Sequence, residues 1–126
     1  MNLEKLPETS PKSITDKEAK KMYKLYAVQL NKIGRVNILH QDALINYCEA
    51  WSRSRRLQAE IEEYGEVLTS DKGNKYINPA VNAQKMAQNE MARQAKELGL
   101  DSKSLLDASF KQESTQDPND PNAYLS

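Results

Sequence analysis

Gly65-Glu66-Val67-Leu68-Thr69-Ser70-Asp71-Lys72-Gly73-Asn74-Lys75-Tyr76-Ile77-Asn78-Pro79-Ala80-Val81 is the stretch on which the fold turns. A long helical pattern runs up to Gly65 and stops. Residues 66–69 alternate like a short strand, residues 70–74 form a polar turn with Gly73 inside it, and residues 75–77 read as the returning strand. Asn78 is suited to accept from the first free amides of a helix, and Pro79 at the first helical position needs no amide of its own. The helix begun there carries Ala80, Ala83, Ala87, Met91, Ala95 and Leu98 along one side and ends at Gly99, a residue suited to a left-handed cap. Small side chains along that side permit close approach of another helix. The expected order is helix, hairpin over 66–77, helix.

Working back from Gly65, Leu39, Ala43, Leu44, Tyr47, Cys48 and Trp51 share one face of a helix capped by Asn37. Leu57, Ile61 and Tyr64 continue it on a rotated stripe, so its halves are expected to meet different neighbours or the helix to bend. Before it, Thr15-Asp16-Lys17-Glu18 has the form of a capping box. It opens a helix with Ala19, Met22, Tyr23, Tyr26, Leu30 and Ile33 inward and Lys17, Lys20, Lys21 and Lys24 on the opposite face. Gly34 ends it. Residues 1–14, with Pro7 and Pro11, read as an irregular arm. After Gly99, Asp101 is placed to cap a short helix over 102–107. Residues 111–126, with Asp117-Pro118-Asn119 repeated as Asp120-Pro121-Asn122, bury too little apolar surface to order and read as a disordered acidic tail. The expectation is a mainly α domain over 15–110: three main helices, a hairpin between the second and third, and a short C-terminal helix.

Composition narrows the function. A chain of 126 residues with 38% hydrophobic residues and one Phe builds only a small core, and such chains often complete it by oligomerising. Basic and acidic side chains balance at 18 each, but residues 1–36 carry eight basic against four acidic groups and residues 100–126 carry two against five. A basic front suggests an anionic partner. No signal-peptide core or membrane-length apolar run is present, and one cysteine makes no internal disulfide. A soluble intracellular protein without membrane association is expected.

Catalytic sets are missing from the sequence. There is no phosphate-binding glycine loop. His40 is the single histidine and Cys48 the single cysteine, too few for a zinc set or a convincing triad, and each reads better as a helix residue. No catalytic residue, metal or cofactor is expected. Three basic groups are candidates for DNA phosphates: Lys17, Lys20, Lys21 and Lys24 in a row; Arg53 and Arg56, which point to a similar side while Arg55 is free to pair with an acidic neighbour; and Lys72 and Lys75 flanking the hairpin turn. A solvated face is the competing reading for each.

Three segments in order carry a family resemblance. Leu44-Ile45-Asn46-Tyr47-Cys48-Glu49-Ala50-Trp51-Ser52-Arg53, then Gly65 with the hairpin and Asn78-Pro79-Ala80-Val81, then Ala95-Lys96-Glu97-Leu98-Gly99-Leu100 resemble the small terminase subunits of tailed phages. The chain departs from that pattern at Asp101-Ser102-Lys103-Ser104, where a Thr-Pro and Ser-Arg are usual, and at His40, where an acidic residue is common. The resemblance makes Tyr47, Cys48, Trp51, Gly65, Asn78, Pro79, Gly99 and Leu100 the family's structural motif. It implies a non-catalytic DNA-packaging component in the host cytoplasm. Such a subunit forms a ring of about eight to ten copies, binds double-stranded viral DNA, and recruits and regulates a large subunit that holds the ATPase and nuclease. The alternative is a small dimeric helix-turn-helix regulator built on the passage through Gly34. A structural adaptor without DNA contact is a third reading.

Overall fold

Asn78 joins three pieces of backbone where α2, the hairpin and α3 meet in the computed structural model, which describes residues 3–100. Its Oδ1 accepts from the Ala80 amide at 3.0 Å, its Nδ2 donates to the Gly65 carbonyl at 2.9 Å, and its own amide donates to Glu66 at 2.8 Å. The elements on either side are arranged by that knot. Helix α2 (Gln41–Tyr64) ends at Gly65, β1 (Val67–Thr69) and β2 (Lys75–Ile77) pair antiparallel, and α3 (Pro79–Leu98) returns along α2. Val67 faces Ile77, Leu68 faces Tyr76 and Thr69 faces Lys75 across the ladder. The turn closes through the Ser70 amide to the Asn74 carbonyl at 2.8 Å, with Gly73 at φ 86°. Pro79 opens α3, and Gly99 ends it in the left-handed conformation. The hairpin and third helix are as the sequence predicts.

The first helix, α1 (Lys17–Ile33), also matches its expected span, and Gly34 caps it at φ 77°. The cap at its start differs. Asp16, not Thr15, is the N-cap, and its carboxylate accepts from the Ala19 amide at 2.9 Å. The second helix also starts later than expected. Asn37 caps a single 3-10 turn, Ile38–His40, in which His40 Nδ1 accepts from the Asn37 amide at 3.1 Å, and α2 runs on from Gln41. His40 thus has a structural role as the returning half of a capping box.

The core lies where the arm, α1, the first half of α2 and the end of α3 converge: Leu6, Ile14, Ala19, Tyr23, Ala27, Leu30, Leu44, Cys48 and Leu98 are buried together. Residues 3–16 hold no helix or strand, but they belong to the core. Leu6 and Ile14 are fully buried. The Asn31 side chain grips both the amide and the carbonyl of Leu6 (3.1 and 2.9 Å), and the Tyr23 hydroxyl donates to the Pro7 carbonyl at 2.7 Å. Helix α2 does face two neighbours. Leu44 and Cys48 join the core with α1, whereas Ala50, Ser54 and Ile61 are buried on the half that runs along α3 with Ala80 and Ala87. It does so as one continuous helix of 24 residues. The expected helix over 102–107 and the tail at 111–126 lie outside the described residues.

Candidate nucleic-acid interface

Helix α1 sorts its side chains by a 3.6-residue repeat into two faces, with Val28 falling within the lysine face and Leu25 exposed next to Lys24. Ala19, Tyr23, Ala27 and Leu30 are buried, and Lys17, Lys20, Lys21 and Lys24 are all exposed on the other side. Among the described residues the ion pairs are Arg56–Asp16 at 3.1 Å and Arg93–Glu90 at 2.9 Å, so none of the four lysines has a carboxylate partner there. They occupy the first half of α1, where free amides at the helix N-terminus add positive potential. Asp16, immediately before the row, is turned toward α2, while Glu18 stands exposed in the first turn of α1. The Asp16 side chain accepts from the buried Ser52 hydroxyl and from Arg56, and the Ser52 bond first, then the Ala19 amide and, to a lesser extent, Arg56 hold its carboxyl below the usual carboxylate range.

The arginines part company. Arg56 donates to both Asp16 and Ser52 and remains well exposed, which sets its guanidinium beside the start of the lysine row. Arg53 instead lines an open groove of about 370 Å³ between α2 and α3 with Glu49 and Glu90. Arg53 is exposed and in no ion pair among the described residues, whereas Arg56 is held by Asp16 and Glu90 by Arg93. The expected acidic partner for Arg55 is replaced by an aromatic one: its guanidinium stacks 5.1 Å above the Trp51 ring. Lys72 and Lys75 are exposed on the hairpin. Eight residues of α2 separate Arg56 from Tyr64, about 12 Å at 1.5 Å per residue, so the hairpin lysines stand apart from the α1 row.

The motif residues are structural. Tyr47 is half-buried with its ring 5.4 Å from that of Tyr26, and burial pushes its hydroxyl above the ordinary tyrosine range. Cys48 is wholly buried, its thiol pushed up to about 12 chiefly by desolvation, which leaves it protonated and unreactive at neutral pH. Leu100 packs against the core, and its amide donates to the Ala95 carbonyl at 2.7 Å. No three His, Cys, Asp or Glu side chains converge among the described residues. No helix there is long and apolar enough to cross a membrane.

Sequence reading missed Asp16, Ser52 and Asn31 as organising residues. The first two lie 36 positions apart, and no local pattern links them. No curated protein and no solved structure matches the chain. A family model does: that of the phage terminase small subunit, over residues 19–113, a span that includes Lys20, Lys21, Lys24, the hairpin and all of α2 and α3. The chain belongs to the phage terminase small-subunit family, and that membership supports a role in phage DNA packaging.

Proposed function

We propose that this chain is the non-catalytic, DNA-binding component of a phage packaging machine, working in the host cytoplasm. It binds double-stranded viral DNA through the lysine face of α1, and it recruits and regulates a separate large subunit that carries the ATPase and nuclease. The observation that carries this reading is the row Lys17, Lys20, Lys21 and Lys24: four exposed cations on one face of one helix, without ion-pair partners among the described residues. Arg56 and Arg53 extend the row along α2, and Lys72 and Lys75 supply a second contact at the hairpin.

Assembly as a ring of about eight to ten copies multiplies contacts that are weak singly, since linked sites raise avidity without new chemistry. Leu39, Tyr64, Val67, Ile77 and Met86 are each more than half exposed, which supports a neighbouring copy covering part of this surface. The acidic segment after Phe110 contacts the large subunit. Its deletion (111–126) should abolish pull-down of the large subunit with assembly intact; retained pull-down would refute that contact.

The DNA contact is tested by replacing Lys17, Lys20, Lys21 and Lys24 together with Ala. All four are exposed, so the fold should hold. Affinity for duplex DNA is expected to fall at least tenfold near 100 mM salt, and the slope of log K against log salt to drop by about three to four. A variant that assembles normally and binds with the parent affinity and slope would overturn the assignment.

A further inference from the structure

Arg53, Arg55 and Arg56 fall within one turn of α2, and their surroundings differ. Arg53 has Glu49 four residues before it; Arg56 has Glu60 four residues after it and Asp16 at 3.1 Å. Arg55 has neither kind of partner. A helix brings side chains three and four residues apart together, and around Arg55 those positions hold Trp51, Ser52, Gln58 and Ala59, with no carboxylate. Ser52 donates to Asp16, and Gln58 is bonded to Glu62 and Gln84. Arg55 is exposed, its guanidinium lies 5.1 Å from the centre of the Trp51 ring, and its donors meet no acceptor among the described residues. An aromatic face draws a cation in without neutralising its charge, and the guanidinium keeps donors for a planar anion.

We infer that Arg55 contacts a DNA phosphate and that Trp51 is its positioning residue. Both roles rest on the proposed binding of DNA by this chain, but not on the lysine face of α1. The planar fork of an arginine matches two phosphate oxygens at once, and the fork of Arg55 is not occupied by a protein acceptor. Its place also fits. Arg56, the next residue, touches Asp16, which directly precedes Lys17, so Arg55 stands close to the start of the lysine row. A long exposed side chain loses rotamer freedom when it binds, and one already held against a ring loses less. Trp51 is half-buried and so offers Arg55 a fixed surface. The competing account is a solvated pair on a helix surface, which would leave DNA binding indifferent to either residue.

Affinity of the full chain for a random-sequence duplex, measured against salt, separates charge from position. Arg55→Ala should lower affinity about three- to tenfold at about 100 mM salt and reduce the slope of log K against log salt by about one. Arg55→Lys keeps the charge and should keep the slope, yet lose about two- to fivefold because an ammonium lacks the planar fork. Trp51→Ala removes no charge. It should leave the slope unchanged and cost about two- to fivefold in affinity, and Trp51→Phe should recover most of that. In the Arg55→Ala background, Trp51→Ala should change nothing further. Trp51 is the single tryptophan, so its emission should shift when duplex is added to the parent and shift less in Arg55→Ala. An Arg55→Ala variant with the parent's affinity and slope would overturn the contact. A Trp51→Ala loss that persists without Arg55 would overturn the positioning role, since Trp51 would then act through the fold. Should Trp51→Ala unfold, Trp51→Phe, the two Arg55 variants and the emission signal still decide. If the four Lys→Ala substitutions leave binding intact while Arg55→Ala weakens it, the lysine-face assignment fails and Arg55 stands; a parent that binds no duplex overturns both.

Discussion

Asn78 and Asp16 both cap helices, Asn78 by accepting from an amide two residues on and Asp16 from one three residues on. The Asn-Pro pair announces its cap locally, since acceptor and amides are two residues apart. What the sequence concealed is the other half of that amide, which satisfies the Gly65 carbonyl at the end of α2. Asn78→Ala therefore loses a cap worth about 1 kcal/mol and leaves a partly buried carbonyl unpaired, for a total of about 2–3 kcal/mol. Asn78→Ser restores the cap but not the bond to Gly65, so urea unfolding should place it between the parent and the alanine variant. Asp16 was harder to read, because Ser52 and Arg56 lie 36 and 40 positions away. Folding depresses its carboxyl below the ordinary value of 3.8. The unfolded chain thus takes up the proton first as pH falls. The stabilisation is complete above about pH 5 and is lost as pH drops through the folded value, below 3.8. Asp16→Asn should flatten the acid limb of stability against pH by that one group. An acid limb identical to the parent's would count against the role assigned to this carboxylate.

At the scale of elements, periodicity revealed what is repetitive and missed what is irregular. All three helices and the hairpin were readable from spacing, caps and turn chemistry, and the small-residue side of α3 does lie on α2. Gly65 sits at φ 90° and ψ 164°, a region nearly confined to glycine, although a Cβ there would meet only ordinary contact with the Val67 carbonyl at 3.7 Å. Gly65→Ala should accordingly cost about 1–3 kcal/mol from backbone strain alone, readable as a lower urea midpoint with an unchanged slope. The arm gave no such signal. Two prolines and polar neighbours mark residues 3–16 as irregular, but the burial of Leu6 and Ile14 depends on Asn31 and Tyr23 of a helix further along the chain. Leu6→Ala should destabilise by about 2–5 kcal/mol, as core truncations do; a surface-like change below about 0.5 kcal/mol would show the arm to be peripheral.

For the whole molecule, the balance of 18 basic and 18 acidic groups conceals an uneven distribution along the sequence. Four lysines lie on one face of α1 with Arg56 beside their start, while residues 100–126 hold five acidic groups against two basic ones. Of the residues that carry the family resemblance, Tyr47, Cys48 and Leu100 pack in or on the core and Gly65, Asn78, Pro79 and Gly99 lie at element ends, while Trp51 is half-buried beside Arg55, so most of them specify the scaffold. That is why family and fold were readable from sequence, and why the partner-facing residues had to be argued from exposure and pairing. A chain with so small a core and so many exposed large apolar side chains is expected to work as an assembly. The most direct test is the solution mass of the purified protein by light scattering. The account predicts a single species of about eight to ten copies of the 14.3 kDa chain; a dimer or a monomer at working concentration would contradict it.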